Sequence, residues 1–353
     1  MKKEPTGNFT GCISENNILV LAPNWLGDAV MSLPFFAILR KRHPQSFITA
    51  ACREYVYEVF RRCSDIDRLL VTGESGIFGK VSEIRASCPE GVGYQICFIL
   101  RPSFSSALTA FLAGISERIG YSTDFRKLLL TRSLKGASYR SGHLTESYIR
   151  LLELEDGVSE DEIPAPALEP PGQWRSMVRS MSLPDSYIVF SPGATYGPAK
   201  LWPADNYRKL AEELCSDSET GIVAVGSSAE EDYISGILSK IEKGVNLAGK
   251  TGMRELMAVL KGARAVIGND SGTVHLSAAL GTPTVAIFGS TSPEWTSPRG
   301  EKVEVLDSDL SCSPCFEREC RVYEYARCYD DIKIEDVIKA YSKIRKGADI
   351  EQI

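Results

Sequence analysis

What these 353 residues lack removes most of the common chemistries. No G-x-G-x-x-G fingerprint follows a strand-like run in either half, which argues against a dinucleotide-dependent dehydrogenase. Gly197-Pro-Ala-Lys200 has neither the glycine spacing of a Walker A loop nor the Ser or Thr that should follow its lysine. Histidine occurs three times, at His43, His143 and His275, and there is no His-Glu-x-x-His helix to hold a metal. A serine hydrolase of the nucleophile-elbow type would need Gly-x-Ser-x-Gly, which is absent. No apolar run approaches the ~18 residues that would span a bilayer. Residues 1–16 are polar and lack the apolar centre of a secretory leader, so they read as a disordered N-terminal extension. Without such a leader, ten cysteines point to reduced thiols in a cytoplasmic protein.

What is present is an ordinary globular composition, 43% apolar and 24% charged, in a chain too long for one core. The net charge of −6 is unevenly distributed. Residues 1–155 carry 19 Lys and Arg against 15 Asp and Glu, whereas the remainder carries 21 against 31. A basic first half in an acidic chain fits an anionic partner on that half, although scattered charge would give the same balance. Nothing indicates a nucleic-acid partner.

Apolar strand-like runs at 17–21, 47–51, 68–71 and 94–100 alternate with helical patterns at 29–42, 54–62, 79–87 and 104–113. Residues 122–142 break this rhythm and carry Arg126, Lys127, Arg132, Lys135 and Arg140, which reads as a long binding loop. A helix at 144–154 closes the first half, and the Pro-rich acidic stretch 155–171 reads as a linker and hinge. Strands at 187–190, 221–225, 265–267, 284–288 and 303–306 then alternate with helices at 204–215, 230–241, 254–260 and 273–280. The predicted organisation is α/β. A first doubly wound, Rossmann-like domain spans 17–160 and a linker spans 161–175. A second such domain spans 176–330, and a C-terminal helix spans 331–353. The two domains face a cleft.

The stretch from Val266 to Gly289 is the most informative part of the chain. Two buried strands flank a helix that should end at Gly281, and the turn before the helix carries Asp270, Ser271, Gly272, Thr273 and then His275. Small hydroxyls beside the free N–H groups of a helix N-terminus form an anion site; the plainer reading is a capped βα turn.

Three motifs together bear a resemblance. Leu21-Ala-Pro-Asn-Trp-Leu-Gly-Asp28, Ser191-Pro-Gly-Ala-Thr195-Tyr-Gly-Pro-Ala-Lys200-Leu-Trp-Pro203 and Gly268-Asn-Asp270-Ser-Gly-Thr-Val-His275 resemble those of the ADP-heptose:lipopolysaccharide heptosyltransferases, glycosyltransferase family 9. The match runs from about 18 to 344 and is most similar to the type that adds the second inner-core heptose. The resemblance implies a GT-B fold, an inverting transfer without cofactor or metal, and ADP-heptose on the second domain. It also implies heptosyl-Kdo2-lipid A on the first domain, at the inner face of the inner membrane. Sister heptosyltransferases for other core positions, other GT-B nucleotide-sugar transferases and a non-catalytic nucleotide-binding protein remain as alternatives.

Carried over residue by residue, Asp28 matches the general base and Lys200 the lysine that holds the donor phosphates. Asp28 could instead be only a helix N-cap, and Lys200 a solvated lysine. An Asp beside a helix N-terminus should be held ionised. Thr195 should bond a phosphate oxygen, Glu230 falls where the family contacts the ribose (with Glu231 leaving the register open), and Thr251 aligns with an adenine-side backbone contact. Asp270, Ser271, Gly272 and Thr273 match the donor loop, Gly272 letting phosphates approach the backbone. His275 packs there or bonds Asp270. Trp25, Arg126, Arg132 and Arg140 are assigned to the acidic acceptor. Cys312-Ser-Pro-Cys315 has zinc-like spacing, with Cys320 and Cys328 available, but the second pair lacks that spacing and reduced thiols are expected.

Overall fold

A computed structural model describes residues 16–350 except 74, 89–91, 153–161 and 217–218. The expected N-terminal extension therefore lies, apart from Asn16, outside the described residues, as does the first part of the expected hinge.

The first half contains strands β1 Asn17–Leu21, β2 Phe47–Cys52, β3 Arg68–Val71, β4 Ile96–Ile99, β5 Glu117–Tyr121 and β6 Arg132–Leu134. Its helices are α1 Leu26–Met31, α2 Leu33–Arg42, α3 Tyr57–Phe60, α4 Ile77–Ser87, α5 Phe104–Leu112 and α6 Leu144–Ile149. The second half contains α7 Trp174–Ser180, β7 Ser186–Ser191, α8 Ala204–Leu214, β8 Thr220–Ala224, α9 Glu231–Leu238, β9 Gly244–Asn246 and α10 Met253–Gly262. It continues with β10 Val266–Asn269, α11 Gly272–Ala279, β11 Thr284–Ile287, α12 Pro293–Thr296, β12 Val303–Leu306 and α13 Ile334–Ile350.

Each half builds one six-stranded sheet, in the orders β3-β2-β1-β4-β5-β6 and β12-β11-β10-β7-β8-β9, with parallel pairing throughout. Read from its own first strand, each sheet has the same doubly wound order, which reverses between β1 and β4 and between β7 and β10. The central strands are continuous apolar runs because helices cover both faces, so every residue of β1 is buried.

Several boundaries differ from the sequence reading for local reasons. The helix expected over 29–42 is two helices meeting at Ser32, because Pro34 has no N–H to continue the ladder. The stretch 122–142 is not a free loop: β6 lies within it and pairs with β5. Strand β5 escaped notice because Glu117 and Arg118 open it, and the edge strand β9 because it is only three residues long. Helix α7 begins inside the expected linker, and α13 buries Val337, Ala340, Tyr341 and Ile344 in the second core rather than standing apart. Gly281 does end α11, at φ 72°: its N–H reaches Ala278 O and that of Thr282 reaches Ser277 O, a Schellman closure.

The halves meet where α1 packs on α11. The centre of this interface is apolar, with Leu26 buried against the backbone of Gly272 and one hydrophobic cluster running from Ile18 through Leu26 to Leu276. Polar contacts flank it: Arg299 Nη2 to Glu146 Oε1 at 2.5 Å, His143 Nε2 to Ser297 O at 2.9 Å, and Leu168 N donating to Ala279 O at 2.8 Å. No helix among the described residues is long and apolar enough to cross a membrane.

A Cβ at Gly272 would lie 2.6 Å from Leu26 Cβ. Gly272→Ala should therefore destabilise the protein by roughly 1–3 kcal/mol, the range for overpacking a filled contact. Leu26→Ala in the same chain should recover part of that loss, and the thermal midpoints of both single variants and the double variant measure the coupling.

Candidate functional site

The carboxyl ends of β1, β7 and β10 converge where the two sheets reverse order, the position at which ligands bind such folds. Asp28 follows β1, Thr195 and Lys200 follow β7, and Asp270 directly follows β10. The α1–α11 contact brings these turns together. A Cβ on Gly27 would come within 3.0 Å of His275 Cδ2, so the imidazole lies against the turn that carries Asp28.

Asp270 is the hub of the second half. It is buried, accepts from Lys200 Nζ at 2.5 Å and from Thr291 Oγ1 at 2.7 Å through Oδ2, and lies 3.9 Å from His275 Nε2 through Oδ1. Burial alone would raise its carboxyl, but His275 and Lys200 outweigh that and hold it down at about 2. It stays ionised at any physiological pH.

Lys200 is placed by a short turn, Pro198–Lys200, that is tied down on both sides. Ala199 N donates to Arg318 O at 3.0 Å, and Lys200 Nζ sits 5.0 Å from the centre of the Tyr196 ring. Beneath it the buried Asn269 acts as a polar peg: its Oδ1 accepts from Trp202 N and from the Tyr207 hydroxyl, and its Nδ2 donates to Pro192 O. The peg joins the end of β10 to the β7–α8 loop, so the lysine is mounted on rigid structure.

Asp28 is not an N-cap. Trp25 holds that position, and Asp28 is the third residue of α1, half-buried at the domain contact. The helix N-terminus was expected to favour its ionised form, but the carboxyl is raised, although not so far that it is neutral at pH 7. Burial pushes its carboxyl up to about 6; His275 pulls it back, Asp270 adds to the rise, and Lys200 opposes it. Desolvation outweighs the short helix's dipole. Tyr139 and Tyr148 are also within electrostatic reach of Asp28, which adds to the rise of both phenols.

The remaining donor-side residues separate clearly. Glu230 closes a capping box with Ser227, accepting from its N at 2.7 Å and its Oγ at 2.8 Å, and lies over Gly193 at the end of β7. Glu231 instead pairs with Lys250 at 3.0 Å on the surface. Thr195 is exposed on the β7 turn, Thr251 is half-buried before α10, and Ser271 is the N-cap of α11 without a side-chain cap bond. The N–H groups of the first turn of α11, starting with Gly272 and Thr273, therefore face the site without a side-chain partner. The side of Gly272 where a Cβ would stand is filled by Leu26, so this glycine also serves the contact between the halves.

The basic acceptor residues do not form a cluster. Arg126 is fully buried, and its guanidinium donates to the carbonyls of Tyr121, Arg101 and Ser103, so it is a structural clamp and no ligand residue. Arg132 pairs with Glu117 at 2.9 Å along the β5–β6 edge. Arg140 stacks over Trp295 of the other half, 5.0 Å from its ring centre. Trp25, 66% exposed, stands open beside the cleft, and Arg140 is exposed as well.

Thr291, Asn269, Tyr139 and Tyr148 were not anticipated. Thr291 follows β11 at the same sheet edge, and that position was a readable signal; the tyrosines arrive from the distant α6 region and left none. Cys312, Cys315, Cys320 and Cys328 line one cavity of about 190 Å³ next to Gly289 and Ala199. Among the described residues no three His, Cys, Asp or Glu side chains are grouped to hold an ion. Burial pushes the Cys328 thiol up to about 12.

Comparison with known proteins now assigns this arrangement. Residues 90–326 match glycosyltransferase family 9 (heptosyltransferase). The chain is 30% identical over 308 residues to lipopolysaccharide heptosyltransferase 2 of Escherichia coli K12, covering 82% of this chain and 87% of that one. It is 29% identical over 306 residues to lipooligosaccharide heptosyltransferase 2 of Haemophilus influenzae, covering 82% and 88%. The solved structure of E. coli ADP-heptose LPS heptosyltransferase II superposes with a TM-score of 0.80 at 26% identity, covering 94% of this chain and 99% of that one. The chain belongs to glycosyltransferase family 9, the heptosyltransferases, and is a glycosyltransferase of GT-B fold.

Proposed function

We propose that the chain transfers L-glycero-D-manno-heptose from ADP-heptose to heptosyl-Kdo2-lipid A, with Asp28 as general base and Lys200 meeting the leaving-group charge. The observation that carries the reading is the meeting of Asp28, from the first sheet's reversal point, with Lys200, Asp270 and His275, from the second's. A glycosyl transfer with inversion needs a base on the acceptor side and positive charge on the leaving-group side, and these groups come from opposite halves.

Asp28 takes the proton of the acceptor hydroxyl as its oxygen bonds the anomeric carbon of heptose. The bond from that carbon to the β-phosphate oxygen breaks, and ADP leaves with the electron pair. A carboxyl raised to about 6 is a stronger base than an ordinary aspartate and is still mostly ionised at neutral pH. Lys200 and the open first turn of α11 supply charge and N–H donors to the diphosphate. Asp270 and Thr291 orient Lys200, and Glu230 and Thr251 lie along the donor side. Activity at the inner face of the cytoplasmic membrane, with transient contact to its surface, follows from a lipid-linked acceptor. Trp25, Phe78, Phe125 and Leu128, all exposed on the first half, are suited to that contact.

Lys200→Ala should raise the KM for ADP-heptose and lower kcat on the order of 10²-fold, because leaving-group charge grows in the transition state. Turnover unchanged at saturating donor removes the lysine from that role. Asp28→Asn should lower kcat on the order of 10²–10⁴-fold while ADP-heptose affinity, read by calorimetry, is kept.

A pH series adds a second check on Asp28. Its folded pKa is raised from 3.8 to about 6, so its favourable contribution to folding is complete below about 4 and is lost as pH rises through 6. Asp28→Asn, which cannot ionise, should therefore melt higher than the wild type at pH 8 and show no such gain at pH 4. An equal difference in melting temperature at both pH values contradicts the buried carboxylate.

A further inference from the structure

Outside the site just described, a small polar cavity opens among the carboxyl ends of β1, β3 and β4 in the first half, between α4 and α5. Leu21, Thr72, Lys80, Arg101, Ser105 and Ser106 are among the residues lining it, and no carboxylate lines it among the described residues. Its volume of about 40 Å³ exceeds the ~10–15 Å³ that one water needs and suits the head of a carboxylate or phosphate.

Arg101 is the unusual member. Its Nη1 donates to Asn24 Oδ1 at 3.3 Å, but its Nε is shut away from solvent with no hydrogen-bond partner. Burial lowers its guanidinium to about 10; Cys97 and Cys52 oppose that and nearby Arg53 adds to it, and no carboxylate among the described residues figures in the balance. A half-buried cation with one shut-away N–H left without an acceptor is costly and calls for a partner. The surrounding structure nevertheless holds it in place. Arg126 donates to the backbone carbonyls of Arg101 at 2.7 Å and Ser103 at 3.3 Å, and Ser103 Oγ caps α5 by accepting from Ser106 N. The buried Arg126 thus clamps the loop that presents the half-buried Arg101. Asn24, on the far side, leads directly into the Trp25-Leu26-Gly27-Asp28 turn, so the cavity adjoins the segment that carries the base.

We propose that this cavity is an anion subsite in which Arg101 and Lys80 bind a carboxylate or phosphate group of the acceptor and so turn its hydroxyl toward Asp28. The proposal rests on the acceptor assignment above and deepens it. It replaces the 126–140 arginines with two cations that the sequence pattern did not single out. The two possible anions, a Kdo carboxylate and a lipid A phosphate, share the chemistry of paired anionic oxygens that a guanidinium matches.

The test uses the intact protein and the Arg101→Gln/Lys80→Gln double variant. With ADP saturating the donor site, inorganic phosphate should raise the thermal midpoint of the wild type and not that of the variant. In ADP-release assays the variant should show a KM for heptosyl-Kdo2-lipid A raised roughly 10–100-fold, the worth of a charged hydrogen bond or two, with the KM for ADP-heptose unchanged. Arg101→Lys should recover part of the loss. Repeating the kinetics with dephosphorylated acceptor separates the sources: the difference between wild type and variant vanishes if a phosphate is held and persists if a carboxylate is. Equal phosphate stabilisation of both proteins, stabilisation of neither, or an unchanged acceptor KM would overturn the subsite. A wild type that releases no ADP with this acceptor refutes the transfer reading instead, and the phosphate arm still decides the cavity.

Discussion

The packing of α1 against α11 is the contact on which the rest of the site depends. Leu26 covers the backbone of Gly272, and His275 lies against Gly27, so the first turns of two helices from different halves are fitted to one another. Because Asp28 sits within one of these helices and Asp270 just before the other, this apolar contact sets the relation between the two aspartates. Glycine at 27 and 272 is required by that approach rather than by any turn, since larger side chains would push the helices apart.

Around this contact the charges are arranged with different amounts of solvent and partner. Asp270 is buried but surrounded by Lys200, Thr291 and His275, and remains strongly acidic. Asp28 is buried with fewer compensating groups and is pushed toward neutrality. Two aspartates in one site are thereby separated by about four units, from about 2 to about 6. That is the pattern expected where one carboxylate organises and the other exchanges a proton.

The arginines of the first half show why charge along a sequence is a weak guide to a binding face. Arg126, Arg132 and Arg140 share a 15-residue polar stretch, yet one is buried among carbonyls, one is paired on a strand edge and one stacks on the opposite half. Arg101 carries no such context in the sequence, and the fold places it, short of partners, at a cavity.

The sequence by itself determined the α/β class, the βα alternation of each half and the turns after β1, β7 and β10 that carry Asp28, Lys200 and Asp270. Those features are local: continuous apolar strands, a Gly281 stop and short motifs whose residues are adjacent in the chain. Tertiary structure alone decided that α1 fits α11, that Gly272 serves the contact between halves, that Glu230 rather than Glu231 lies over Gly193, and that the carboxyl of Asp28 is raised rather than lowered. It also decided which arginines are structural. Each of these depends on what a side chain meets from another element of the fold, or on how much water that meeting removes. Neither the spacing nor the identity of residues along the chain records either quantity.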